Sequence, residues 1–449
     1  MNRKIIDQSK LKKFQENFQS RKNNEIIANT VIKNGINNSS LNNESVKKMH
    51  YDFSEEIDVG KVTNQQKSGR CWMFAALNNI RYDIAQDLKI KDKEFELSQS
   101  YTMFWDKLEK ANYFLENIIE TIELEIDSRK VMWLLKEPTN DGGQWDMFTA
   151  LIEKYGIVPK YVMPESYHSS NSSGLNKILN LKLRDLAQRL RKDFKLGADK
   201  ESLREEKADM LAEIYSILAY FLGEPPQKFD FEYKDQEGEF YRDSGLTPQD
   251  FYNKYSNFKM TDYVSIINAP TSDKEFNQTY TVEFLGNIKE GQQIHYLNLP
   301  IEKLVNYSQE QLKNGEPVWF GCDVGQWSDR DLGIMDTALF NYEDLLNTKF
   351  ALDKGQRLQY GESILTHAMV FTGVNIDDHN QAERWKVQNS WGEKVGEDGF
   401  FIMSNDWFKE FNYEVVIHKK YLSEADLKAY QKEPIVLKPW DPMGSLAKK

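Results

Sequence analysis

The chain has 449 residues, more than a single hydrophobic core usually holds, so we expect two or three domains or one domain with large insertions. A net charge of −12 argues against a whole-protein affinity for nucleic acid or an anionic membrane, and no apolar run approaches the length of a membrane span. The first residues lack the apolar core of a secretory signal, and Cys71 and Cys322 cannot form a disulfide framework. We therefore expect a cytoplasmic protein.

The first part of the chain is predicted to be mainly helical. Residues 1–50 indicate a helix followed by an asparagine-rich linker, and we expect this arm to pack on a neighbouring subunit. Residues 71–88 carry apolar side chains three or four positions apart. This spacing predicts an amphipathic helix with Cys71 at its start.

A helical pair is predicted next, because apolar residues recur with helical spacing at 175–195 and again at 202–222. After about residue 260 the pattern changes to short apolar runs bounded by turn residues, which is typical of strands. A mainly helical part followed by a mainly strand-forming part predicts the α+β class.

Cys71 lies in the stretch QQKSGRCWMF, where the predicted helix begins. A helix N-terminus stabilises a thiolate through its unpaired amides and its macrodipole, and the thiolate is the nucleophilic form of cysteine. A lone thiol is more often inert packing material, which is what we expect for Cys322 in a strand-like segment. A catalytic Cys71 therefore needs partners elsewhere in the chain.

Two downstream segments supply such partners. Of the six histidines, His367 begins an apolar strand-like run, where a rigid element would hold the imidazole. Asn389 lies in QNSWG, and its side-chain carbonyl can accept the imidazole N–H and fix the tautomer, while Trp391 can shield that bond from water. No further Cys or His has the spacing of a metal site, so we expect neither a metal nor another cofactor.

These segments resemble the active-site blocks of the papain-like cysteine peptidases, in the same order along the chain. The resemblance rests on Gln65, SGRCW around Cys71, DGGQW at 141–145, THA at 366–368 and NSWG at 389–392. Together these blocks are much more specific than any one of them alone.

The spacing between the blocks points to one branch of that family. His367 follows Cys71 by 296 residues, about twice the roughly 130–150 typical of the secreted papains, so the core must be interrupted. With GRCWMFAALN, KYGIVPK, LGIMD and the terminal PWDPMGSLAKK, the chain is similar to the bleomycin hydrolases and bacterial aminopeptidase C over nearly its whole length. This resemblance implies a papain-like fold with a helical insertion, an N-terminal hook and a C-terminal arm in the cleft. It also implies a homohexameric barrel whose active sites face an inner chamber.

On this basis we divide the chain into five predicted parts. They are an N-terminal hook (1–50), a helical half with the nucleophile (51–165), a helical insertion (166–260), a strand-rich half with the histidine and the asparagine (261–425) and a C-terminal arm (426–449). The two halves would form the papain core, and the insertion would account for the long spacing between Cys71 and His367.

The resemblance also implies roles for individual residues. Cys71 would be the nucleophile, His367 the general base and then the general acid, and Asn389 the group that orients His367. Gln65 would donate its side-chain amide to the oxyanion together with the backbone N–H of Cys71. The implied substrate-binding residues are Gly142, Gly143, Trp391 and Ala447. The implied activity is a cysteine aminopeptidase that acts through a thioester on peptides with a free N-terminus.

Two other functional classes are open at this point. A papain fold could serve mainly as a scaffold that binds peptides or nucleic acid, although a pure binder has no need of the whole Gln, Cys, His and Asn set. The basic helical face at 182–195 is usually a solvated face, so nucleic acid is not the expected partner. A Cys–His acyltransferase is the second alternative, but that class normally uses a carboxylate as the third member, and Asn389 departs from this pattern.

The C-terminus carries a separate prediction. Pro439 and Pro442 stiffen the chain, and the resemblance implies that residues 443–449 occupy the non-primed cleft near Gly142 and Gly143, with the tail carboxylate pairing with the ammonium group of the substrate. The terminal lysines would repel that ammonium group. We therefore predict that Lys449 is trimmed, either alone or together with Lys448. Trimming would leave a carboxylate at or near Ala447. A disordered tail is the alternative.

Overall fold

The computed structural model describes residues 4–448, with side chains described through Ala447. Within this range, no helix combines the length and the apolar character that crossing a membrane requires. Helices dominate the first part of the chain and strands the second, which confirms the predicted α+β class.

Seventeen α-helices occur among residues 4–448, most of them before residue 260. They are α1 Gln8–Gln19, α2 Asn24–Asn34, α3 Ile36–Ser40, α4 Asn43–Lys48, α5 Cys71–Asp87, α6 Gln99–Glu120, α7 Arg129–Lys136, α8 Trp145–Tyr155, α9 Tyr167–Ser170, α10 Ser173–Lys195, α11 Lys200–Leu222, α12 Pro248–Tyr255, α13 Ile301–Lys313, α14 Tyr342–Leu346, α15 Lys354–Tyr360, α16 Asn405–Phe411 and α17 Glu424–Tyr430. The predicted helix at 71–88 is α5, and the predicted pair is α10 and α11.

The strands of the described range form one large sheet and one hairpin. They are β1 Glu55–Glu56, β2 Phe229–Lys234, β3 Phe240–Leu246, β4 Tyr263–Ile267, β5 Gln278–Val282, β6 Tyr296–Asn298, β7 Val318–Cys322, β8 Ser328–Asp329, β9 Ile334–Met335, β10 His367–Ile376, β11 Ala382–Gln388, β12 Phe400–Ser404, β13 Asn412–His418 and β14 Ile435–Leu437. The large sheet has the order β14-β5-β6-β4-β13-β7-β10-β11-β12-β9-β8, with β1 alongside β10, and the hairpin is β2-β3.

Helix α5 joins the helical half to the sheet. Its side chains are buried almost without interruption from Cys71 to Arg81, because it packs against β10 on one side and against α6 and α8 on the other. Burying a large apolar side chain contributes about 1.5–3 kcal/mol, so this helix has little freedom to move. The start of α5 is therefore held at a fixed place relative to the start of β10.

The segment between the two halves contains more than helices. Helices α10 and α11 pack on α6 through buried leucines, as their periodicity predicted. The antiparallel hairpin β2-β3 follows them, and the sequence analysis did not predict it. Its strands are rich in aromatic residues, and Phe231 is buried against Phe251 of α12.

The predicted linker near residues 34–48 is instead folded into α3 and α4. Asn42 caps α4 by accepting the backbone N–H of Glu44, and its own backbone N–H donates to the carbonyl of Leu339 at 2.9 Å. Ser45 also hydrogen-bonds to the carboxylate of Asp336. Asparagine-rich stretches are typical of helix caps as well as of linkers, which is why composition alone gave the wrong local structure.

The C-terminal part returns to the helical half. The predicted boundary between residues 425 and 426 falls inside α17, after which β14 pairs in parallel with β5. A 3-10 turn, Pro442–Lys448, ends the described chain. The carbonyl of Leu446 in this turn lies against Gly142 of the helical half.

Candidate active site

Cys71 is the first residue of α5, and its side chain is buried. Arg70, directly before it, is fully buried and donates two hydrogen bonds to the carboxylate of Glu165, at 3.0 and 2.8 Å. Its Nε also donates to Ser68 Oγ at 2.9 Å. A bidentate pair of this kind fixes geometry, so the turn that leads into the helix is held rigidly. The backbone N–H groups at the start of a helix point out of its positive end, which is where an oxyanion is stabilised.

His367 and Asn389 are brought together by the pairing of β10 with β11. His367 Nε2 lies 2.9 Å from Asn389 Oδ1, and the same oxygen accepts the backbone N–H of Ser390 at 2.7 Å. An amide oxygen only accepts hydrogen bonds, so Nε2 is the donor. The basic nitrogen of the neutral ring is then Nδ1, and the network assigns this tautomer.

Gln65 is fixed on the same network. Its backbone N–H donates to the carbonyl of Ser390 at 2.9 Å, and its Oε1 accepts from Ser390 Oγ at 2.6 Å. Nε2 donates one N–H to the carbonyl of Ser68 at 2.6 Å. A side-chain amide has two N–H groups, so one of them remains for a ligand.

Trp391 covers the histidine. The centre of its ring lies 4.8 Å from that of His367, and the ring packs edge-on against Phe401 at 5.6 Å. The side chain is half-buried. This position fits the shielding role that the sequence predicts for it.

Two buried lysines hold the loop that carries the paired glycines. Lys107 Nζ donates to the carbonyl of Asn140 at 2.5 Å and to Asp141 Oδ1 at 2.7 Å. Lys110, one turn along α6, donates to the carbonyl of Gly142 at 2.5 Å and to Asp106 Oδ2 at 2.7 Å. Each lysine thus joins α6 to the loop by a charged contact.

Asp141 in turn joins this loop to the nucleophile. Its carboxylate accepts the backbone N–H of Gly69 at 3.0 Å, and its backbone carbonyl accepts the indole N–H of Trp72 at 2.7 Å. Burial alone would raise the pKa of Asp141, but the charge of Lys107 and the hydrogen bonds from Gly69, Lys107 and Ser172 outweigh it and hold the pKa well below its usual range. Burial lowers the pKa of the neighbouring lysine, Lys110.

The two glycines face different neighbours. A Cβ on Gly142 would lie 2.1 Å from the backbone carbonyl oxygen of Leu446, so the C-terminal tail approaches the glycine backbone directly. A Cβ on Gly143 would lie 2.4 Å from the indole of Trp72. Only glycine fits at either position, and Gly142 is the one in contact with the tail.

The tail is fixed at several points along its length. Asp441 forms a buried ion pair with Lys274 at 2.8 Å. The carbonyl of Met443 accepts from Tyr296 and Gln144, and Ser445 Oγ donates to the carbonyl of Leu365 at 2.7 Å.

Residues 443–447 pack against both halves of the site, and the position of the tail in the non-primed cleft stays a prediction. Met443, Leu446 and Ala447 are buried. Ser445 is bonded to the strand-rich half, and Leu446 lies against Gly142 of the helical half, so the tail bridges the two halves of the site. The predicted trimming concerns Lys449 and the side chain of Lys448, which lie outside the described residues.

Several positioning groups were not found from the sequence. Arg70, Lys107 and Lys110 are charged residues that the sequence pattern gives no reason to bury. Asp323 is a fourth: its carboxylate accepts from Ser363 Oγ at 2.9 Å and Thr366 Oγ1 at 3.1 Å, and so holds the segment before His367. Within residues 4–448, no three His, Cys, Asp or Glu side chains are grouped so as to hold a metal ion.

Comparison with known proteins agrees with this geometry. Residues 5–444 match the model of the Peptidase C1-like family. The chain is 52% identical to aminopeptidase C of Listeria innocua over 437 residues, covering 97% of this chain and 98% of the relative, and 48% identical to aminopeptidase C of Streptococcus thermophilus, covering 94% and 95%. The crystal structure of PepW from Lactobacillus rhamnosis HN001 superposes with a TM-score of 0.96 at 52% identity, covering 98% of this chain and 99% of that chain. The protein therefore belongs to the Peptidase C1-like family, together with the bacterial proteins named aminopeptidase C, and has the papain-like fold that its sequence predicts.

Proposed function

We propose that this protein is a cysteine aminopeptidase that releases single residues from peptides with a free N-terminus. The observation that carries the proposal is the C-terminal tail, which crosses the cleft between Gly142 and Leu365. A papain-like cleft open at both ends would cleave within chains. A cleft filled on one side leaves room for little more than the first residue of a substrate. The names of the relatives agree with this reading.

The proposed reaction is acyl transfer through Cys71. The thiolate attacks the first peptide carbonyl, and His367, protonated at Nδ1, gives that proton to the leaving amine as the C–N bond breaks. Water then attacks the thioester, giving one proton to Nδ1 and releasing the amino acid and the thiolate. The hydrogen bond from Nε2 to Asn389 keeps Nδ1 available in both steps.

The oxyanion of each tetrahedral intermediate would be stabilised by two donors. These are the remaining N–H of Gln65 Nε2 and the backbone N–H at the start of α5. Losing one such donor typically costs about 10²–10³ in rate. The double contact of Gln65 with Ser390 keeps the donor in place before the substrate binds.

Recognition of the free amino group is assigned to the end of the tail. The carboxylate that ends the chain beyond Leu446 would pair with the ammonium group of the substrate, which explains why a free N-terminus is required. The predicted trimming of the terminal lysines would bring that carboxylate to or near Ala447. Mass spectrometry of the purified protein measures the position of the C-terminus directly.

Assembly into a homohexamer in the cytoplasm is part of the proposal. The N-terminal arm supports it, because seven large apolar side chains in the described part of the arm are exposed in the single chain. They are Ile5, Ile6, Leu11, Phe14, Phe18, Ile26 and Ile32. Amphipathic helices that expose such residues usually cover them in a partner. Sedimentation of the full-length chain and of a chain lacking residues 1–45 tests this: the arm-less form should be smaller, and a full-length monomer would contradict the barrel.

Truncation after Met443 tests the proposed function. The full-length enzyme should cleave free-amine peptides and aminoacyl-coumarins and leave N-acetylated peptides intact. The truncated enzyme should cleave free-amine substrates less well and cut acetylated peptides internally. Cys71→Ala should abolish both activities while the fold is kept, and a chelator should have no effect. Unchanged positional specificity after truncation would show that the tail does not set it.

A further inference from the structure

Arg330 lies close to the site without a task in the reaction described above. Its side chain is exposed, and the guanidinium carbon is 4.9 Å from the centre of the Trp391 indole. That indole also covers His367, with ring centres 4.8 Å apart. None of the ion pairs found among residues 4–448 includes Arg330. The Arg330 guanidinium therefore contacts Trp391, which in turn contacts the His367 imidazole.

The turn that carries Arg330 is rigid. Asp329 Oδ1 accepts the backbone N–H groups of Asp331 and Leu332, at 3.0 and 2.9 Å, so Arg330 lies at the tip of a closed turn. The carbonyl of Asp331 accepts the backbone N–H of Gly396 at 3.3 Å, which ties the turn to the loop that follows Trp391. These contacts fix the backbone at Arg330, and the indole of Trp391 is the contact that the structure gives for the guanidinium itself.

The tail lies on one side of His367. Ser445 bonds to the carbonyl of Leu365, and the Leu365 side chain packs over Gly321, which belongs to β7. In the sheet, β7 is the neighbour of β10 on one edge. The part of the cleft that the tail fills is therefore the part above β7.

Trp391 and Arg330 lie on the other side of His367. Trp391 packs on Phe401 in β12, and Arg330 lies between β8 and β9, which follow β12 in the sheet order. Because β7 and β12 are on opposite sides of β10, the tail and Arg330 flank the imidazole from opposite directions. The leaving part of the substrate must run on the side that the tail does not occupy.

We propose that Arg330 binds a carboxylate on the leaving part of the substrate. This carboxylate is either an acidic side chain close to the cleaved bond or the C-terminal carboxylate of a short peptide. The inference rests on the proposed function. The two ring contacts place the guanidinium carbon within roughly 10 Å of the centre of the His367 ring. A carboxylate in a bidentate contact lies about 4 Å nearer, so one or two extended residues, or the side chain of the first leaving residue, reach it.

The chemistry of the turn suits this ligand. A guanidinium that stacks on an indole keeps its N–H fork free at the edge, and the fork matches a carboxylate with two parallel hydrogen bonds. The Asp329 carboxylate is occupied by the backbone of the turn. Asp331 is next to Arg330 and lowers the local potential, so recognition is a short-range bidentate contact and not long-range attraction.

The test compares full-length wild-type enzyme with Arg330→Ala and Arg330→Lys. One substrate pair is a dipeptide and its C-terminal amide, and the other is a tripeptide amide with Glu or Gln in its second position. The wild-type enzyme should favour the carboxylate member of at least one pair by about tenfold in kcat/KM, mainly through KM, as expected for one charge-assisted bidentate contact. Arg330→Ala should remove that preference, and Arg330→Lys should restore part of it.

Arg242→Ala is the control, because Arg242 is also exposed and lies in the β2-β3 hairpin, which has no role in the proposed site or assembly. It should keep the wild-type ratios. Loss of preference only in the dipeptide pair assigns the site to a C-terminal carboxylate, and loss only in the tripeptide pair assigns it to an acidic side chain. Equal ratios for wild type and Arg330→Ala in both pairs would overturn the proposal. Hydrolysis of an aminoacyl-coumarin, which has no such carboxylate, tests the proposed function separately.

Discussion

The two halves of the site hold their functional groups by different means. The helical half uses buried ion pairs: Arg70 with Glu165, Lys107 with Asp141 and Lys110 with Asp106. The strand-rich half places His367 and Asn389 at neighbouring ends of paired strands and completes the contact with hydrogen bonds to the uncharged amide oxygen of Asn389.

The difference follows from what each half must fix. Strand pairing sets the position of a side chain to within one register step, so the His–Asn contact needs little further support. The loop 139–143 has no such ladder and must be held by side chains. Removing one partner of a buried ion pair leaves an uncompensated charge. Substitutions should therefore damage stability in the helical half and activity in the strand-rich half.

The largest effect is expected from Lys107→Met. Asp141 would keep its charge while losing Lys107, so we expect the free energy of unfolding to fall by about 3–5 kcal/mol. Urea denaturation followed by circular dichroism measures it. Adding Asp141→Asn to Lys107→Met should restore part of the loss. The control is Lys160→Met, because the ion pair of Lys160 with Glu96 is partly exposed. Its loss should lower the free energy of unfolding by less than about 1 kcal/mol. Equal losses for both single variants would contradict the comparison.

A second effect concerns two buried carboxyl side chains, one in each half, that form no ion pair with a cation among residues 4–448. Burial raises the pKa of Asp146 in α8 to about 7 and that of Glu414 in β13 to about 8. The folded state therefore holds protons that the unfolded state releases above about pH 4.5. Stability should be greatest near pH 5, decline as the pH rises through the folded-state pKa values of about 7 and about 8, and level off above them.

Glu414→Gln sharpens this prediction. The variant has no proton to lose at that position, so its urea midpoint should vary less between pH 5 and 8.5 than that of the wild type. Glu397→Gln is the control, because Glu397 is exposed. A wild-type midpoint that rises across this range would have the wrong sign for buried neutral acids.

In both halves, the sequence predicted the functional groups better than the residues that hold them in place. The short motifs predicted that Cys71 begins a helix and that Asn389 contacts His367, because helix starts and strand ends depend on local sequence. Lys107, Lys110 and Asp323 were not found, because their roles depend on contacts with residues far along the chain. The helices α3 and α4 were missed for a related reason, since the segment is tied to residues 336–340. Local pattern does not reveal partners that only tertiary structure supplies.

In the strand-rich half, Asn389→Ala should affect activity more than stability. Without the amide oxygen, the His367 ring loses the contact that fixes its tautomer, and misplacement of this size can cost about 10² in kcat. The control is Asn268→Ala, which removes a buried asparagine bonded to the carbonyl of Leu299 at 2.9 Å. The two variants should have similar urea midpoints, and only Asn389→Ala should lose turnover of an aminoacyl-coumarin. If Asn389→Ala lost as much stability as Lys107→Met, the proposed difference between the halves would be wrong.

The smallest effect is expected where the tail joins the two halves. Ser445→Ala removes one partly buried hydrogen bond, to the carbonyl of Leu365, which is worth about 1 kcal/mol. The tail would still be held by the ion pair of Asp441 with Lys274 and by its buried apolar side chains, so it should stay in the cleft most of the time. We expect slow internal cleavage of an N-acetylated peptide, about fivefold above wild type and far below the enzyme truncated after Met443. Ser216→Ala, which removes a bond within α11, should match the wild type. Cleavage of acetylated peptides by Ser445→Ala as fast as by the truncated enzyme would mean that this single bond, and not the whole tail, closes the cleft.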